Sequence, residues 1–579
     1  MKTMTTLHQA RQLILTELKK AVGKEYTPSV DDLSYPPDAK LGDLSFACFS
    51  LAKGLKRNPV EIATEIAAKI GPKGFIKSIA SAGPYVNFSL DDSAFCGAVV
   101  AEVSDHAQCY GTSATGTGKR IMVEYAQPNT HKEIHVGHLR NFTVGQTVVN
   151  VLRANDYDVI PTSYINDLGA NVARCVWAVK SVANGIVPEG EDQISFLQRM
   201  YVEATSRGEA DETVRAEVSQ IQRDLEEGKG PALATWKKTW KWSVAYIEAI
   251  FKDLGLPVDV WYFESDLIKD TKRTVEDLIR RNIVTSSQGA WIVDLEAEGL
   301  GANLLVKTDG TLLYNAKDIV LALRKEEDQH PVRSIYVIDA RQSLAMKQLF
   351  ATLKRMGFNK DLQHLSYEFV TLKEGAMSSR KGNAIRYETF RDEMVAMAAE
   401  ETSRRHVDWP AKKVSNTARA VAFSAIRFGM LKQDLDKKIT FDMAEAMSFE
   451  GFTGPYLMYS FARMQSILKK GSKGRRGTTG LWGKQPGCVR AWVPAEHALV
   501  LALAKYPEVV FAAGQTLRIS TISQYLFDLC QAFSNFYENA PVLSAEPDVM
   551  ASRLAIVESA ATVLENGLGL LGIETVDEM

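Results

Sequence analysis

The chain has 579 residues, of which 46% are hydrophobic and 24% are charged, and its formal net charge is −2. One hydrophobic core does not support a chain of this length, so we expect about three or four domains. The near-neutral charge excludes a uniformly basic nucleic-acid-binding protein, and any such surface must be a local basic patch.

Cysteine usage and hydropathy indicate the compartment. The six cysteines are scattered without a Cys-x-x-Cys pair, which argues against a disulfide framework and a structural zinc site and fits a reducing compartment. No apolar run approaches the roughly 20 residues that a membrane-spanning helix needs. The first residues also lack the apolar block and cleavage site of a signal peptide. We therefore expect a cytoplasmic protein without a membrane contact.

Residues 1–108 are predicted to form a small α+β domain. Apolar residues at helical spacing indicate an opening helix. A Pro-, Gly- and Asp-marked stretch (36–43), a second helical pattern and a short strand at 85–88 follow. The Gly-, Ser- and Thr-rich segment 109–119 marks the boundary. The apolar positions of the opening helix are Leu7, Ala10, Ile14, Leu18 and Ala21.

From residue 120 onward the pattern is typical of a doubly wound parallel α/β sheet. Residues 121–126 are strand-like, an amphipathic helical pattern follows, and 158–165 form the next strand, which predicts a βαβ unit. Strand character returns at 334–339 and 367–372. The charged, irregular segment of about 185–300 is typical of an insertion. The predicted helix face carries Leu139, Phe142, Gln146, Val149 and Leu152.

The remaining boundaries follow from composition. The sheet domain is predicted to span 109–390, a helical connector 391–445, and an all-helical C-terminal domain 446–579. The Gly-, Lys- and Arg-rich stretch 469–477 has the composition of a flexible loop.

The segment His135-Val136-Gly137-His138 lies where the first strand of the sheet meets its helix. An open parallel sheet binds ligands at this joint, and the start of a helix favours phosphate oxygens. The two histidines can donate hydrogen bonds to phosphate, and Gly137 leaves room for an adenine ring. An isolated match fits equally well two ordinary polar residues at a helix start.

A second segment, Ala376-Met377-Ser378-Ser379-Arg380-Lys381-Gly382, follows the predicted strand 367–372. Mobile Ser, Arg and Lys side chains can clamp a departing pyrophosphate. Alone, such a segment is more typical of a solvated basic turn. The two segments flank one βαβ-rich region, however, as the two halves of a nucleotide site should.

The two segments resemble the signature motifs of class I aminoacyl-tRNA synthetases, and their neighbourhood resembles the arginyl-tRNA synthetases. The resemblance covers almost the whole chain, including LGDLSFA (41–47) and GPYVNF (83–88) of that family's N-terminal domain. The other matching segments are VEYAQPNTHKEIHVGHLRN (123–141), DGTLLYNAKDI (309–319), VIDARQ (337–342), GPYLMYSFAR (454–463) and GLGLLGIE (567–574).

The resemblance implies an arginine–tRNA ligase. Such an enzyme uses ATP to activate L-arginine as arginyl-adenylate and transfers it to the terminal ribose hydroxyl of tRNA(Arg), and the family suggests that activation needs bound tRNA. It implies a Rossmann-like catalytic domain, an N-terminal tRNA-contacting domain and a C-terminal anticodon-binding domain. Mg²⁺ is expected with ATP and no zinc is expected. The implied partners are tRNA(Arg), ATP and L-arginine, and we expect a monomer.

Individual site residues carry over by their match to the family's motifs. Glu124, Tyr314 and Asp318 are expected to bind the guanidinium, and Asn129 and Gln342 the amino end of the substrate. Physically, carboxylates suit the planar five-donor fork of arginine, although a Tyr/Asp pair at i,i+4 alone is more often a plain surface pair. The expected ATP-binding residues are Lys132, His135, Gly137, His138, Met377, Ser378, Arg380 and Lys381.

Three departures from the family pattern matter. Residues 166–169 read Asn-Asp-Leu-Gly where many members have Gly-Asp-Trp-Gly, so Asp167 and Gly169 are candidates for an ATP or ribose contact. Ala376 and Ser379 stand where the signature loop usually has lysines. We predict that Lys132 supplies the missing positive charge, with Arg380 and Lys381 as competitors. A further contact is in doubt because Ala345 replaces a usual histidine.

The C-terminal region carries aromatic residues suited to stacking on unpaired bases of the anticodon. At helical spacing most of them should be core residues, and we expect only one or two to touch RNA. The basic run at 469–476 more often means a solvated loop than a phosphate contact. The RNA-binding candidates are Tyr456, Tyr459, Arg463 and Tyr537, with Phe533 and Phe536 as further aromatics.

Two alternatives stay open from sequence. The first is another class I synthetase, such as the cysteinyl enzyme, which the lack of Cys/His clusters and the presence of Tyr314 and Asp318 disfavour. The second is a catalytically silent paralogue that binds RNA, which the altered signature loop favours and the two histidines disfavour.

Overall fold

The computed structural model describes residues 4–23, 26–373, 385–472 and 492–579. The chain opens with helix α1 (Thr6–Val22), which begins because the Thr5 hydroxyl accepts the backbone N–H of His8. The predicted apolar stripe from Leu7 to Leu18 is buried, so the opening helix is confirmed.

The N-terminal region is a four-stranded antiparallel sheet with helices, in the strand order β1-β2-β4-β3. Of these four strands the sequence indicated only β4, at 85–88. The others were missed because β1 and β2 are very short and because much of β3 is exposed and lacks a clear alternation. The elements are β1 (Leu33–Ser34), β2 (Leu44–Ala47), α2 (Phe49–Leu55), α3 (Pro59–Lys69), β3 (Ile76–Ala82), β4 (Tyr85–Leu90) and α4 (Ala94–His106).

A five-stranded parallel sheet forms the centre of the molecule, in the order β12-β11-β5-β6-β7. Central strand β5 is buried from its second residue onward, as expected where helices cover both faces of a sheet. The chain leaves β5 toward β6 on one side and returns as β11 on the other, which makes the β5/β11 junction the switch point where such sheets bind ligands. The strands are β5 (Arg120–Glu124), β6 (Asp158–Ile165), β7 (Val260–Phe263), β11 (Arg333–Asp339) and β12 (Asp361–Tyr367).

Helix α5 (Val136–Ala154) joins β5 to β6 and fixes the switch point. The Asn141 Oδ1 atom accepts the backbone N–H of Ala126 at 2.6 Å, and its Nδ2 donates to the Val337 carbonyl at 2.7 Å. One helical side chain therefore holds the chain just after β5 to the end of β11. The predicted βαβ unit and the doubly wound sheet are confirmed.

The segment between β6 and β12 differs from the single insertion that the sequence predicted at about 185–300. Helices α6–α8 have a core of their own, against which α9 packs in part, but β7 then pairs with β6 in the main sheet, so 185–300 is not one continuous insertion. The four-residue strand β7 is too short to stand out from its charged surroundings. The elements are α6 (Ala170–Ser181), α7 (Gln193–Ala210), α8 (Glu212–Glu226), α9 (Leu233–Asp253), α10 (Glu264–Arg280), the antiparallel strands β8 (Thr285–Ser287), β9 (Ala290–Asp294) and β10 (Ala302–Val306), α11 (Tyr314–Gln329) and α12 (Ser343–Arg355).

The C-terminal part is helical, as predicted, apart from one short strand that pairs with the end of the sheet domain. The buried Arg140 of α5 donates to the carbonyl oxygens of Lys437 at 2.7 Å and Asp434 at 3.1 Å, which fastens the connector to the start of α5. The elements are β13 (Val370–Leu372), α13 (Tyr387–Arg405), α14 (Ala411–Leu431), β14 (Ile439–Phe441), α15 (Met443–Ala446), α16 (Gly454–Gly471), α17 (Pro494–Thr516), α18 (Ser520–Asn539) and α19 (Pro547–Leu570).

Helix α17 is long and apolar enough to cross a membrane by length and composition. It packs against α18 and α19 inside the C-terminal bundle, and its Leu499, Val500 and Leu503 are fully buried. It also anchors the N-terminal region, since His497 contacts Asp43 at 2.9 Å and Asp92 at 2.8 Å. This helix therefore behaves as a core helix.

Candidate active site

Two histidines form the first turn of α5. The His135 Nδ1 atom accepts the Gly137 backbone N–H at 3.1 Å, and the His138 Nδ1 atom accepts the His135 backbone N–H at 3.1 Å. The two rings lie 4.0 Å apart between centroids. The His138 Nδ1 atom also lies 3.2 Å from the His135 carbonyl oxygen. In the tautomer that accepts at Nδ1, each neutral ring carries its proton at Nε2 and presents an N–H donor on its far side.

The charge state of these histidines follows from their surroundings. Burial lowers the pKa of His135 to about 4, with a further contribution from the nearby Lys132 ammonium. Burial also lowers the pKa of His138 well below its usual value, and His135 adds to the effect. Both rings are thus neutral at physiological pH. They act as hydrogen-bond donors, and fixed positive charge must come from other groups.

Gly137 is required by His135. A Cβ atom at residue 137 would lie 2.8 Å from Cε1 and 2.9 Å from Nδ1 of the His135 ring. Any side chain there would push the imidazole out of its position. The glycine therefore leaves room for the histidine ring, in addition to the adenine ring for which the sequence predicted the space.

The second signature segment lies outside the described residues, and with it Met377, Ser378, Arg380 and Lys381. The chain resumes at Ile385, whose carbonyl accepts the Val136 N–H at 3.2 Å, and the Tyr387 N–H donates to the Ile134 carbonyl at 2.8 Å. Residues 385–387 are therefore joined to the start of α5. That the signature segment itself forms the second half of the site stays a prediction.

Lys132 lies on the loop that leads from β5 to these histidines. Its Nζ atom sits 4.4 Å from the centre of the Tyr201 ring, a cation–π distance. Its positive charge contributes to the lowered pKa values of both His135 and His138, so it lies close to the predicted phosphate site.

Glu124 ends strand β5 at the switch point and is buried. It forms an ion pair with the fully buried Lys325 of α11 and accepts a hydrogen bond from the Gln127 amide at 3.2 Å. The Lys325 ammonium also lies 4.3 Å from the centre of the Tyr336 ring on β11. The predicted guanidinium ligand therefore already has a cation of the protein beside it.

Tyr314 and Asp318 lie one turn apart at the start of α11, as the sequence predicted. Asp318 has no hydrogen-bond or ion-pair partner among the described residues. Burial and, to a smaller extent, the neighbouring Glu264 carboxylate raise its pKa to about 7, and Lys317 opposes the shift. This carboxylate is poised to receive a cation.

Several polar groups around Asp318 were not found from the sequence. Glu264 at the start of α10 forms a buried ion pair with Lys317, but its Oε2 atom has no partner in the described part of the chain. The buried hydroxyls of Tyr164 and Tyr336 also have none there. Electrostatic coupling of both tyrosines to Asp318 places them around the same carboxylate. No sequence spacing connects residues on β6, β11, α10 and α11.

The charges of this pocket leave one unit uncompensated. The two carboxylates of Glu264 and Asp318 are coupled to one ammonium group, of Lys317, so the local net charge is −1 when all three are ionised. A planar guanidinium with five donors matches both the missing positive charge and the acceptors that lack partners.

The two residues expected to bind the amino end of the substrate lie beside the same switch point. Asn129 follows β5 and forms a parallel bridge with Asn166, which follows β6. Gln342 is exposed at the start of α12, just after β11. Both therefore lie on loops at the carboxyl ends of the strands that border the switch point.

Asp167 is buried, and both of its carboxylate oxygens accept hydrogen bonds. Its carboxylate accepts from the Ser265 N–H at 2.8 Å, the Ser265 hydroxyl at 2.7 Å and the Trp240 indole at 2.9 Å. These bonds favour a role in shaping the loop over the direct ATP contact predicted from sequence. Gly169 adopts φ +97°, and a Cβ there would lie 3.5 Å from the Tyr314 hydroxyl, so this loop borders the pocket.

The C-terminal aromatic residues divide as the sequence suggested. Phe533 and Phe536 are core residues, and Tyr456 is half-buried against Phe527. Tyr459 and Tyr537 are exposed, and the Arg463 guanidinium lies 3.9 Å from the centre of the Tyr537 ring. These last three residues form an exposed aromatic and cationic patch on the C-terminal bundle.

Comparison with known proteins identifies the family that has this arrangement. A family model described as the catalytic domain of class I tRNA synthetases (R) matches residues 100–443, and a DALR anticodon-binding domain matches residues 457–579. The sheet, the histidine-capped helix and the helical domain are those of a class I aminoacyl-tRNA synthetase. A model described as the arginyl-tRNA synthetase N-terminal domain matches residues 8–90. The chain belongs to the arginyl-tRNA synthetase family.

Full-length relatives support this family. An arginine–tRNA ligase of Bdellovibrio bacteriovorus is 36% identical over 99% of this chain and 100% of the relative. One from Lactococcus lactis is 33% identical over 98% and 100% of the two chains. The solved arginyl-tRNA synthetase of Thermus thermophilus is 26% identical, with a TM-score of 0.79 over 98% of this chain and 100% of that one. The family and fold class predicted from sequence are confirmed, and the cysteinyl alternative is wrong.

Proposed function

We propose that the arginine–tRNA ligase reaction takes place in the groove between the ends of β5 and β11. The relatives that match the whole chain are arginine–tRNA ligases, and this chain has the same activity. The observation that carries the placement is the pocket around Asp318, whose single uncompensated charge and unpartnered acceptors suit a guanidinium. In this arrangement Glu124, Tyr314 and Asp318 hold the guanidinium, and Asn129 and Gln342 hold the amino end.

In the first step the arginine carboxylate attacks the α-phosphorus of ATP in line. A phosphorus–oxygen bond forms to the carboxylate while the bond to pyrophosphate breaks, which gives arginyl-adenylate. The Nε2–H groups of His135 and His138 donate to phosphate oxygens as negative charge develops on them. The positive end of the α5 helix dipole adds to this stabilisation. Lys132 neutralises charge on the phosphates.

In the second step the terminal ribose hydroxyl of tRNA(Arg) attacks the carbonyl carbon of arginyl-adenylate. The ester bond forms, AMP leaves and no covalent enzyme intermediate is needed. The protein therefore contributes position and charge in both steps, without a nucleophile of its own.

Magnesium is expected to arrive with ATP. The groups found at the phosphate end are imidazole and ammonium donors, which suit phosphate oxygens and not a divalent cation. Within the described ranges no cluster of three His, Cys, Asp or Glu residues is arranged to hold a metal. The ATP phosphates and water would thus hold the cation, which helps to neutralise the phosphate charge.

The C-terminal patch of Tyr459, Arg463 and Tyr537 is proposed to bind unpaired anticodon bases by stacking. The proposed functional units are the N-terminal tRNA-contacting domain (1–108), the catalytic domain (109–390), the connector (391–445) and the anticodon-binding domain (446–579). We propose that the enzyme works as a monomer in the cytoplasm.

The pH dependence of arginine binding tests the pocket. Protonated Asp318 cannot pair with a guanidinium, and its pKa of about 7 means that protonation competes with arginine near neutral pH. The KM for arginine is expected to rise as the pH falls below 7, by up to about tenfold per unit, and to level off above it. Glu264 shares this midpoint because its pKa is also raised to about 7.

Pyrophosphate exchange in the presence of tRNA, measured from pH 5.5 to 9, gives this profile. Asp318→Asn removes one of the two titrating carboxylates and should weaken the pH dependence, and Glu264 accounts for what remains. The KM for ATP in the wild type should lack this midpoint. A wild-type arginine KM that is level across neutral pH would contradict an arginine site beside Asp318.

Lys132 is tested by removal and rescue. Lys132→Ala should lower the adenylation rate much more than it weakens arginine binding, because its ammonium acts on the histidines of the proposed phosphate site. Adding Ala376→Lys or Ser379→Lys should restore part of the loss, since both changes return a cation to the same phosphates.

The readout is pyrophosphate exchange with saturating tRNA for the single and double variants. Lys180→Ala, on helix α6 and away from the motif loop, serves as the control for loss of an exposed lysine. A harmless Lys132→Ala would refute the role. A severe loss without rescue would refute the compensation between Lys132 and the signature loop.

A further inference from the structure

His131 occupies an unusual position directly before Lys132. It has φ +60°, in the left-handed region, and only 1% of the residue is exposed. Histidine enters this region less readily than glycine, so surrounding contacts must hold the backbone there. Those contacts come from helix α9, which lies between the sheet strands β6 and β7 in sequence.

Two hydroxyl groups of α9 hold His131. The Thr239 hydroxyl lies 2.8 Å from His131 Nε2 and 2.9 Å from the Thr235 carbonyl oxygen. The Ser243 hydroxyl donates to the Thr239 carbonyl at 3.1 Å and accepts the His131 backbone N–H at 3.0 Å. One face of α9 thus holds both the ring and the backbone of His131.

The other side of the ring leads back toward the sheet. His131 Nδ1 lies 2.9 Å from the Thr130 hydroxyl, and the Thr130 backbone N–H donates to the Asn166 carbonyl after β6 at 3.0 Å. Burial lowers the pKa of His131 to about 3, so the ring stays neutral and this set of donors and acceptors persists across physiological pH.

The same face of α9 holds the far end of the loop. The Tyr246 hydroxyl accepts the backbone N–H of Ile134 at 3.1 Å and donates to Glu388 at 3.3 Å. The loop between Asn129 and His135 is therefore fixed at two points by one rigid helix. A loop held in this way keeps its side chains at defined places, whereas a loop with one contact removed can move.

We propose that Thr239 and Ser243 of α9, acting through His131, are positioning residues for the loop that carries Asn129 and Lys132. The inference rests on the roles proposed above for those two residues. In this proposal Thr239 and Ser243 contact neither arginine nor ATP. They place the amide that receives the arginine amino end and the ammonium that faces the phosphates.

Thr239→Val removes the hydroxyl while keeping the shape of the side chain. It should lower kcat/KM for arginine in tRNA-dependent pyrophosphate exchange, by up to about 100-fold, because the loop shifts and the His131 Nε2 atom loses its hydrogen-bond partner. Thr239→Ser keeps the hydroxyl and should restore most of the activity.

Thr271→Val is the matched control. Thr271 is equally buried, and its hydroxyl also donates to a carbonyl of its own helix, that of Leu267 at 2.7 Å, but it does not contact the loop. Both valine variants should lower the melting temperature by similar amounts, and only Thr239→Val should lower kcat/KM. Should Thr239→Val fail to fold, Ser243→Ala is judged by the same comparison.

The outcomes separate this inference from the proposed function. If Thr239→Val (or Ser243→Ala) has the same kinetics as Thr271→Val, the positioning role is overturned. The proposed site still stands in that case when Asn129→Ala and Lys132→Ala each cause a severe loss of activity. Harmless Asn129→Ala and Lys132→Ala variants would overturn the proposed site itself. The inference further requires that the effects of Thr239→Val and Lys132→Ala on the activation free energy, taken from kcat/KM, combine less than additively. Full additivity of these effects counts against it.

Discussion

His138→Ala is expected to lower arginyl-adenylate formation about 100-fold or more while the protein stays folded. A preorganised donor that meets developing charge in the transition state contributes this much when it is removed. The His138 ring is neutral and held by the His135 N–H at Nδ1, so its Nε2–H is available to a phosphate oxygen. The loss should appear in kcat, because the interaction strengthens as charge develops.

Single-turnover formation of arginyl-adenylate in the presence of tRNA measures this effect. The matched control is His330→Ala, an exposed histidine at the end of α11, which should keep wild-type rates. Circular dichroism and thermal melting check the fold of both variants. Near-normal turnover in folded His138→Ala would remove this histidine from the chemistry.

The second large effect concerns specificity for the guanidinium. Asp318→Asn should raise the KM for arginine about 10- to 100-fold and leave the KM for ATP nearly unchanged, since a charge-assisted hydrogen bond is lost. With Glu124 and Glu264 already paired to lysines, Asp318 supplies the remaining negative charge of the pocket. Citrulline, which has a similar shape but no charge, should be a poor substrate of the wild type.

Asp328→Asn is the control for this experiment. Asp328 lies on the same helix as Asp318 and accepts a hydrogen bond from the Tyr262 hydroxyl at 3.1 Å, away from the pocket. It should change neither KM. An unchanged arginine KM in Asp318→Asn would mean that the guanidinium binds elsewhere.

The sequence predicted what depends on local spacing or on a family motif. The βαβ unit, the helix that starts at the two histidines and the Tyr314/Asp318 pair one turn apart all follow from short-range pattern, and the structure has them. Motif order predicts that the two halves of the nucleotide site lie together, and among the described residues Ile385 bonds to Val136 at the start of α5.

What the sequence did not predict depends on contacts between distant segments. Lys325 pairs with Glu124 across 201 residues, and Lys317 with Glu264 across 53, so neither lysine could be assigned to the pocket from spacing. Asp167 was a candidate substrate contact because of its motif, yet the Trp240 indole on α9 engages its carboxylate. Strand β7 was hidden because four residues carry too little pattern to distinguish a strand from an insertion.

The most direct test is aminoacylation of tRNA with each of the twenty amino acids in turn, with ATP and magnesium present. Arginine alone should be transferred at a substantial rate, and the rate should fall sharply for His138→Ala. Efficient transfer of any other amino acid would contradict the assignment of the pocket. Failure to transfer any of them to a pool containing tRNA(Arg) would contradict the assigned activity and favour a silent RNA-binding paralogue.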